Sequence, residues 1–212
     1  MERVSHAQPY GVEGWDGYLD EFTDGWRDKD YRQLTDLFFL RKLRGSLLDV
    51  GCAVGDGIPL IASRCPRLDS ISACDFSSRA VETAASRFNS ADVFQHDVHR
   101  PFSRSWDNVI CLQTIEHLDD PELAVRNLSA AANRNLIVGT PYKNRRPDAD
   151  HRWSFDEADF VGIFDGYRID RAALNIYYYR GPECWQVPAA FISLRVAVRR
   201  AQRRMERSKM GI

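Results

Sequence analysis

Short apolar segments alternate with amphipathic segments over the first two thirds of this chain, and this order constrains the fold more than any other feature. Five segments are rich in β-branched residues and bounded by polar or turn residues, as strands buried in a parallel sheet are. They span residues 46–50, 70–75, 92–95, 107–113 and 135–140. We therefore predict an open, doubly wound α/β sheet, whose ligands bind at the carboxyl ends of the strands.

Helix-start signals lie between and after these segments. A serine cap is available at Ser77 or Ser78, and Asp120 precedes a proline at the first helical position. Ser154-x-x-Glu157 matches a capping box. These signals predict helices over residues 77–88, 119–132 and 154–164.

The two ends of the chain carry weaker signals. Four aromatic residues spaced like one face of a helix precede the first strand, and this helix either packs on the core or caps a ligand. They are Trp15, Tyr18, Phe22 and Trp26. Residues 166–181 indicate one or two strands, with the tyrosines at 177–179 in ordinary sheet packing. Residues 188–207 fit a strand or a helix, and we favour the helix.

Composition and charge limit the class of protein. No apolar run approaches the ~18 residues of a membrane span and no signal peptide is present, so we expect a cytoplasmic protein without an integral membrane segment. Basic character is confined to residues 195–212, which hold seven basic residues and one acidic residue. Nucleic-acid binding by the domain is therefore not expected, whereas weak contact of the tail with an anionic surface stays open. Five cysteines without a C-x-x-C pair predict buried, reduced thiols.

A glycine-rich turn, LLDVGCAVGDG at residues 47–57, follows the first predicted strand. It lacks the G-x-G-x-x-G spacing of dinucleotide sites and the G-K-[ST] ending of a P-loop. Asp49 and Asp56 flank the turn, and two carboxylates beside a phosphate dianion cost roughly several kcal/mol by Coulomb's law. The turn therefore predicts a nucleoside ligand that carries positive charge.

This turn resembles the first motif of class I S-adenosylmethionine-dependent methyltransferases, (D/E)-x-G-x-G-x-G. Asp49, Gly51, Gly55 and Gly57 match the motif, and Ala53 replaces its middle glycine. The replacement fits the turn if the backbone φ at residue 53 is negative. The resemblance implies a Rossmann-like, mostly parallel, seven-stranded sheet with an N-terminal helical cap, and S-adenosylmethionine as the cofactor.

Other segments fall where that family has its later motifs. Asp75 ends the second strand and is expected to accept hydrogen bonds from the ribose hydroxyls, or else to cap the next helix. Asp97 follows the third strand and is expected to face the adenine amino group, or else to serve as a turn residue. The cofactor-binding residues that the resemblance implies are Asp49, Gly51, Cys52, Ala53, Gly55, Gly57, Asp75, Phe76, Asp97, Val98, Leu112 and Gln113.

The segment WDNVICLQTIEHLDDPELAVRNL resembles the fourth-strand motif of small bacterial members that carry a Glu-His pair. Methylation of a hydroxyl needs a group that takes the proton, and His117, preceded by Glu116, is the first candidate for this base. His151, in the loop after the fifth strand, is the second. His117 also fits a purely structural role. If these residues and the nearby aspartates converge, a Mg²⁺ ion that lowers the pKa of an acceptor hydroxyl is an alternative to a base. Asp120 is better explained as a helix cap and the other spacings match no known ligand pattern, so no metal site is predicted.

The length of 212 residues, of which 44% are apolar, fits one domain. Its parts are a helical cap, a cofactor-binding core, an acceptor-side segment and a basic helix or tail, over residues 1–44, 45–140, 141–187 and 188–212.

We expect a methyltransferase that acts on a small-molecule acceptor, with a hydroxyl on a sugar or glycan precursor as the leading candidate, in a monomer or homodimer. The alternatives are N-, S- or C-methylation of a natural product, or a non-catalytic cofactor-binding module. No (D/N)-P-P-(Y/F) tetrapeptide follows the fourth strand, which argues against methylation of nucleic-acid amines.

Overall fold

The fold was analysed in a computed structural model that describes residues 2–3, 15, 19, 38–143, 151–160, 168–172 and 175–182. The strands are β1 (Glu2–Arg3), β2 (Gly45–Val50), β3 (Leu68–Asp75), β4 (Asp92–Gln95), β5 (Trp106–Leu112), β6 (Ala132–Pro141), β7 (Trp153–Ser154), β8 (Arg168–Ala172) and β9 (Asn175–Arg180). The α-helices are α1 (Gly57–Arg64), α2 (Ser78–Arg87) and α3 (Pro121–Ala131). Two 3₁₀ helices span Phe38–Lys42 and Ile115–His117.

One sheet organises these elements. Its seven strands follow the order β4-β3-β2-β5-β6-β9-β8. The first five are parallel, whereas β9 runs antiparallel to both β6 and β8. The strand order reverses between β2 and β5, which opens a crevice at their carboxyl ends. The predicted doubly wound α/β fold is therefore confirmed.

Apolar side chains cover both faces of the sheet, as a doubly wound fold requires. On one face, Val109 and Cys111 of β5 belong to a buried cluster that includes Ala124, Val125 and Leu128 of α3. On the other face, Ile110 and Leu112 of the same strand belong to a cluster with Ile61 of α1 and Leu40 of the first 3₁₀ helix. The alternation along one strand therefore fixes which helix lies on which face.

Two of the three predicted helices are confirmed, and their caps are those that the sequence indicates. The Ser77 side chain accepts a hydrogen bond from the Ala80 backbone N–H at the start of α2 (3.0 Å). Asp120 accepts one from the Leu123 N–H at the start of α3 (2.9 Å), and Pro121 is the first helical residue. Side-chain caps thus satisfy backbone donors that each helix leaves open.

The helix predicted over residues 154–164 is wrong for the part that the structure describes. Ser154 lies in β7, which pairs with β1, and residues 157–160 form a turn. Aspartates make the turn locally: Asp159 accepts from the Asp156 N–H (2.7 Å), and Asp156 accepts from the Ala158 N–H (2.8 Å). Such short side-chain bonds compete with helix formation and override the capping-box signal. Residues 161–164 lie outside the described residues.

The sequence gives no helix signal for α1, which has only eight residues, begins at Gly57 and has a proline in its first turn. The strand signal near the end of the chain is borne out by β8 and β9, and Tyr177, Tyr178 and Tyr179 are fully buried in sheet packing. Four of the cysteines are free and buried, as predicted, and Cys184 lies outside the described residues.

The predicted N-terminal helix is described at two positions, Trp15 and Leu19, and both are helical. Tyr18, Phe22 and Trp26 lie outside the described residues, as does the helix favoured over residues 188–207. No helix within the described ranges is both long and apolar enough to cross a membrane.

Candidate functional site

A cleft with a cavity volume of about 260 Å³ opens at the carboxyl edge of β2, β3, β4 and β5. Residues at or just after the ends of these four strands line it, together with the N-terminal helix and the segment after β6. The lining residues are Trp15, Val50, Gly51, Asp75, Phe76, His96, Asp97, Val98, His99, Gln113, Thr114, His117, Leu118, Asp119 and Arg152. The cleft therefore occupies the place where ligands bind in sheets of this topology.

The glycine-rich turn forms one wall of the cleft at Gly51. This residue has φ +75, and a Cβ atom on it would lie 2.2 Å from Thr114 Oγ1. Its N–H donates to the Cys74 carbonyl (2.9 Å), which ties the turn to the end of β3. Gly55 has φ +85 and is equally closed to a side chain, because a Cβ atom there would lie 2.7 Å from Phe88. Both positions require glycine.

An alanine in place of the middle glycine was expected to fit the turn at negative φ, and Ala53 does not meet this condition. Its φ is +48, in the left-handed region, and not negative. The Ala53 N–H donates to Asp75 Oδ2 (2.9 Å). This hydrogen bond to a buried carboxylate holds the turn in a conformation that an L-residue adopts at a cost of about 1 kcal/mol.

Substitutions at Ala53 test this left-handed conformation. We expect Ala53→Gly to leave the free energy of unfolding within about 1 kcal/mol of the wild type, because relief of strain offsets the greater freedom of the unfolded chain. Ala53→Val is expected to lower it by about 2 kcal/mol or more, since a β-branched residue at positive φ in a buried site is strained and overpacked. Urea denaturation measures both values. A valine variant as stable as the wild type would contradict the assignment.

Asp75 connects the turn to the start of α2. Its side chain is buried, with 4% of the residue surface exposed. Oδ2 accepts from the Ala53 N–H and Oδ1 accepts from the Ser77 N–H (3.1 Å). A carboxylate oxygen can accept more than one hydrogen bond, so a residue of this type can order the backbone and accept a ligand hydroxyl as well. Ser77, and not Asp75, is the N-cap of α2.

Asp97 lies across the cleft in a short hydrogen-bonded chain. The Asp120 N–H donates to His99 Nε2 (3.3 Å), and His99 Nδ1 donates to Asp97 Oδ1 (2.9 Å), which assigns the ring proton to Nδ1. The His99 backbone N–H also donates to Asp97 Oδ1 (3.0 Å). Partial burial opposes ionisation, but the hydrogen bonds from His99 outweigh it and lower the pKa of Asp97. Asp97 is therefore a carboxylate that serves both the turn and the cleft.

The residues predicted to bind the cofactor divide into two groups. Those that line the cleft are Gly51, Asp75, Phe76, Asp97, Val98 and Gln113. Those that do not line it are Asp49, Cys52, Ala53, Gly55, Gly57 and Leu112. Asp49 is fully buried on β2, and Leu112 belongs to the core behind the cleft. The second group thus shapes the turn and the strand end that support the first.

The carboxylates beside the ligand are not the ones expected from the sequence, which were Asp49 and Asp56. Asp56 forms an ion pair with Arg87 (2.8 Å) and is absent from the cleft lining, so its charge is matched outside the cleft. Asp75 and Asp97 carry carboxylates into the lining instead. The cleft therefore favours a cationic ligand over a phosphate, for the reason predicted but through different residues.

The end of β5 is strained where it meets the cleft. Gln113 has φ +50, although it is not glycine, and its N–H donates to the Gly139 carbonyl (2.8 Å). The next residue, Thr114, donates from Oγ1 to the Leu112 carbonyl (2.9 Å) and closes over Gly51. Such strained residues concentrate at ligand sites, where the surrounding structure imposes the conformation.

Glu116, His117 and His151 form a cluster beside the cleft, which we call the Glu-His-His cluster. The residue surface of Glu116 is 1% exposed and that of His151 is 8% exposed, whereas His117 lines the cleft. The two imidazole rings meet edge to face with their centroids 4.8 Å apart, and His117 Nε2 lies 3.9 Å from Glu116 Oε1. Thr140 Oγ1 donates to Glu116 Oε2 (3.0 Å). The three predicted catalytic residues are thus brought together.

The segment that carries His151 is attached to the loop that carries the other two residues. The Arg152 N–H donates to the Glu116 carbonyl (2.8 Å), and Trp153 Nε1 donates to the Leu118 carbonyl (2.7 Å). The Arg152 side chain also forms an ion pair with Asp119. These three contacts set the distance between the histidines independently of their own side chains.

Several cleft residues are missing from the sequence-based predictions. Thr114 directly follows Gln113, and Arg152 directly follows His151. Adjacency to a predicted residue was therefore the sequence signal that could have identified both. His99 was given no role, and its link from Asp120 to Asp97 depends on a contact between distant segments that spacing does not reveal. Trp15 was weighed as a possible cap over the ligand, and it lies in the lining.

Comparison with known proteins agrees with this architecture. A family model described as methyltransferase domain matches residues 23–178. No curated protein matches the sequence. Similar solved structures include magnesium protoporphyrin IX methyltransferase from Synechocystis PCC 6803 with bound SAM, which is 21% identical with a TM-score of 0.58 over 79% of this chain and 90% of that chain.

Two further structures show how wide the likeness is. The N-methyltransferase NodS from Bradyrhizobium japonicum WM9, in complex with S-adenosyl-L-homocysteine, is 15% identical with a TM-score of 0.62 over 81% of this chain and 98% of that chain. An O-methyltransferase family protein from Burkholderia thailandensis is 11% identical with a TM-score of 0.65 over 85% of this chain and 64% of that chain. At these identities the similarity concerns the fold.

Proposed function

We propose that this chain, which belongs to the methyltransferase domain family, methylates a hydroxyl group of a small molecule. It is a methyltransferase that takes its methyl group from S-adenosylmethionine. The proposal for a hydroxyl depends on the Glu-His-His cluster, because an alcohol must lose its proton during attack, whereas an amine free base or a thiolate attacks without such help.

The cofactor is proposed to lie in the cleft with its positive charge among carboxylates. Asp75 and Asp97 both line the cleft. Asp75 is proposed to accept hydrogen bonds from the ribose hydroxyls, and Asp97 to face the adenine amino group. Phe76, Val98 and Gln113 supply further lining. This arrangement leaves the side of the cleft near His117 for the acceptor.

The acceptor side combines polar and charged groups. His117, Asp119 and Arg152 line the cleft together there, and Trp15 adds an aromatic surface. A hydroxyl-rich acceptor with a ring face, such as a sugar or glycan precursor, suits hydrogen-bonding side chains beside an aromatic ring. We therefore propose this class of acceptor.

The proposed reaction is an in-line displacement. The acceptor oxygen forms a bond to the methyl carbon while the carbon–sulfur bond breaks, and the electron pair of that bond goes to sulfur to give S-adenosylhomocysteine. The hydroxyl proton leaves at the Glu-His-His cluster, where His117 faces the cleft. Alignment of the two reactants in the cleft supplies up to about 7 to 11 kcal/mol of the barrier reduction.

The function is tested in two steps. Calorimetric titration with S-adenosylmethionine and S-adenosylhomocysteine measures cofactor binding, which we expect for both. A mass-spectrometric screen of cell metabolites with enzyme and cofactor then identifies a product that has gained one methyl group, and fragmentation locates that group on oxygen. Methylation on nitrogen, sulfur or carbon would contradict the hydroxyl proposal, and binding without any product would favour a non-catalytic module.

Replacement of His117 tests its part in proton removal. We expect His117→Ala to lower kcat by about 100-fold or more, within the range for loss of a group that assists proton transfer. Affinity for S-adenosylhomocysteine is expected to stay within about threefold, because His117 lies on the acceptor side. A loss of kcat below about tenfold would remove His117 from this step.

A further inference from the structure

The Glu-His-His cluster has the composition of a metal site. One carboxylate and two imidazoles each offer a ligand atom, and these atoms lie within 4.8 Å of one another. Two histidines and a carboxylate are the protein ligands of catalytic zinc sites and of non-haem iron sites. No metal site is predicted from the sequence, because the spacings of these residues match no known ligand pattern.

The carboxylate of the cluster is already oriented for such a role. Thr140 Oγ1 holds Glu116 Oε2, and the other oxygen, Oε1, is the one close to His117 Nε2. A hydrogen bond to the oxygen that does not bind the ion is a common outer-shell feature, which fixes the direction of the ligand oxygen. The bond from the Arg152 N–H to the Glu116 carbonyl brings His151 to the same point.

The donor set and spacing indicate which ions fit. Two imidazole nitrogens favour zinc and other first-row transition metals, whereas magnesium and calcium prefer all-oxygen sites. Ligand atoms around tetrahedral zinc lie about 3.4 Å apart, as bonds of about 2.0 to 2.1 Å require. The ligand atoms of the cluster lie within 4.8 Å of one another, and small side-chain rotations bring them to the spacing that zinc requires.

We propose that Glu116, His117 and His151 bind a divalent transition-metal ion, with zinc as the best match. Because His117 lines the cleft, we place the open coordination position of the ion on the cleft side. The catalytic part rests on the proposed function. A hydroxyl bound to the ion has a lowered pKa and loses its proton to water. The resulting alkoxide attacks the methyl carbon, the carbon–sulfur bond breaks, and its electron pair goes to sulfur. His117 then acts as a ligand and does not itself accept the proton.

Cobalt(II) substitution tests the site without cofactor or acceptor. Tag-free protein treated with a chelator is titrated with Co²⁺, whose visible absorption reports coordination, and Zn²⁺ competition gives the zinc affinity. We expect one ion per chain, with binding about 100-fold weaker in Glu116→Gln and His151→Ala and about tenfold weaker in Thr140→Val. The control is Glu82→Gln, since Glu82 is exposed on α2 and absent from the cleft lining, and its loss is expected to leave Co²⁺ affinity within about twofold.

The outcomes separate the site from the reaction. Absence of a Co²⁺ band, or a band that persists in Glu116→Gln and His151→Ala, overturns the metal site. Binding of S-adenosylhomocysteine by each variant verifies that it is folded. If Co²⁺ binds at the cluster but no acceptor is methylated, the site stands and the proposed function fails. If chelator-treated protein methylates its acceptor at an undiminished rate, the function stands and the catalytic part of the metal proposal fails.

Discussion

Gly51→Ala is expected to lower the free energy of unfolding by about 2 to 4 kcal/mol and to weaken S-adenosylhomocysteine binding by about 100-fold or more. Two penalties combine: alanine at φ +75 is strained, and its Cβ atom would lie 2.2 Å from Thr114 Oγ1. Either the turn or the Thr114 loop must move, and both line the cleft. Urea denaturation and calorimetry measure the two effects.

Gly45→Ala is a matched control for this substitution. Gly45 has φ +79, and a Cβ atom there would lie 2.2 Å from Asp107 Oδ2, so strain and clash are alike. Gly45 begins β2 and therefore lies at the edge of the sheet opposite the cleft. We expect a similar loss of stability with cofactor affinity within about threefold of the wild type. Equal losses of affinity in the two variants would show that Gly51 acts only through stability.

A double variant separates strain from clash at Gly51. Thr114→Ala removes Oγ1 and Cγ2, the two atoms closest to the added methyl group. We expect Gly51→Ala to cost less in this background by about 1 to 2 kcal/mol, because the backbone strain remains and the clash is relieved. Strict additivity of the two substitutions would rule out the contact as the cause.

Asp75→Asn is expected to lower the free energy of unfolding by about 2 to 3 kcal/mol and to weaken cofactor binding by about 100-fold. An asparagine side chain has one acceptor oxygen, so it cannot serve the N–H groups of both Ala53 and Ser77. Its amide also loses the charge that we propose attracts the ribose hydroxyls and the cationic cofactor. Denaturation and calorimetry measure these losses.

Asp107→Asn supplies the control for Asp75. Asp107 Oδ2 accepts from both the N–H and the hydroxyl of Ser46, at the edge of the sheet away from the cleft. This variant is expected to lose stability but not cofactor affinity. The ribose contact is tested with 2′-deoxy-S-adenosylhomocysteine: the wild type should discriminate against it by about tenfold or more, and Asp75→Asn should not. Equal discrimination by both proteins would remove Asp75 from ribose recognition.

The sequence predicted those parts of the fold whose causes are local. The apolar runs of β2 to β6 and the caps Ser77 and Asp120 depend on neighbouring residues, and their elements lie where the patterns indicate. The helix expected from Ser154 failed because aspartates at 156 and 159 form a competing turn and β1 pairs with β7. That pairing joins residues 2–3 to residues 153–154, and no local pattern can represent a contact over such a sequence separation.

The candidate site was predictable to a similar depth. Strand-end positions identified Gly51, Asp75 and Asp97, since the topology brings the carboxyl ends of parallel strands to one edge. The positive φ at Ala53 was not predictable, because it follows from a hydrogen bond to Asp75, which lies 22 residues further along the chain. The approach of His151 to His117 likewise depends on contacts between the loops after β5 and β6.

The hydrogen bond from the Arg152 N–H to the Glu116 carbonyl has a consequence for how such a protein diversifies. It joins main-chain atoms, so it survives replacement of either side chain by any residue other than proline at position 152. Among the contacts of the described residues, Asp119 contributes only the ion pair with Arg152, so it and other exposed residues on the proposed acceptor side can change while this main-chain hydrogen bond still holds the segment of His151 against the loop of His117. Change in acceptor preference and retention of the chemistry are thus separable within one short segment.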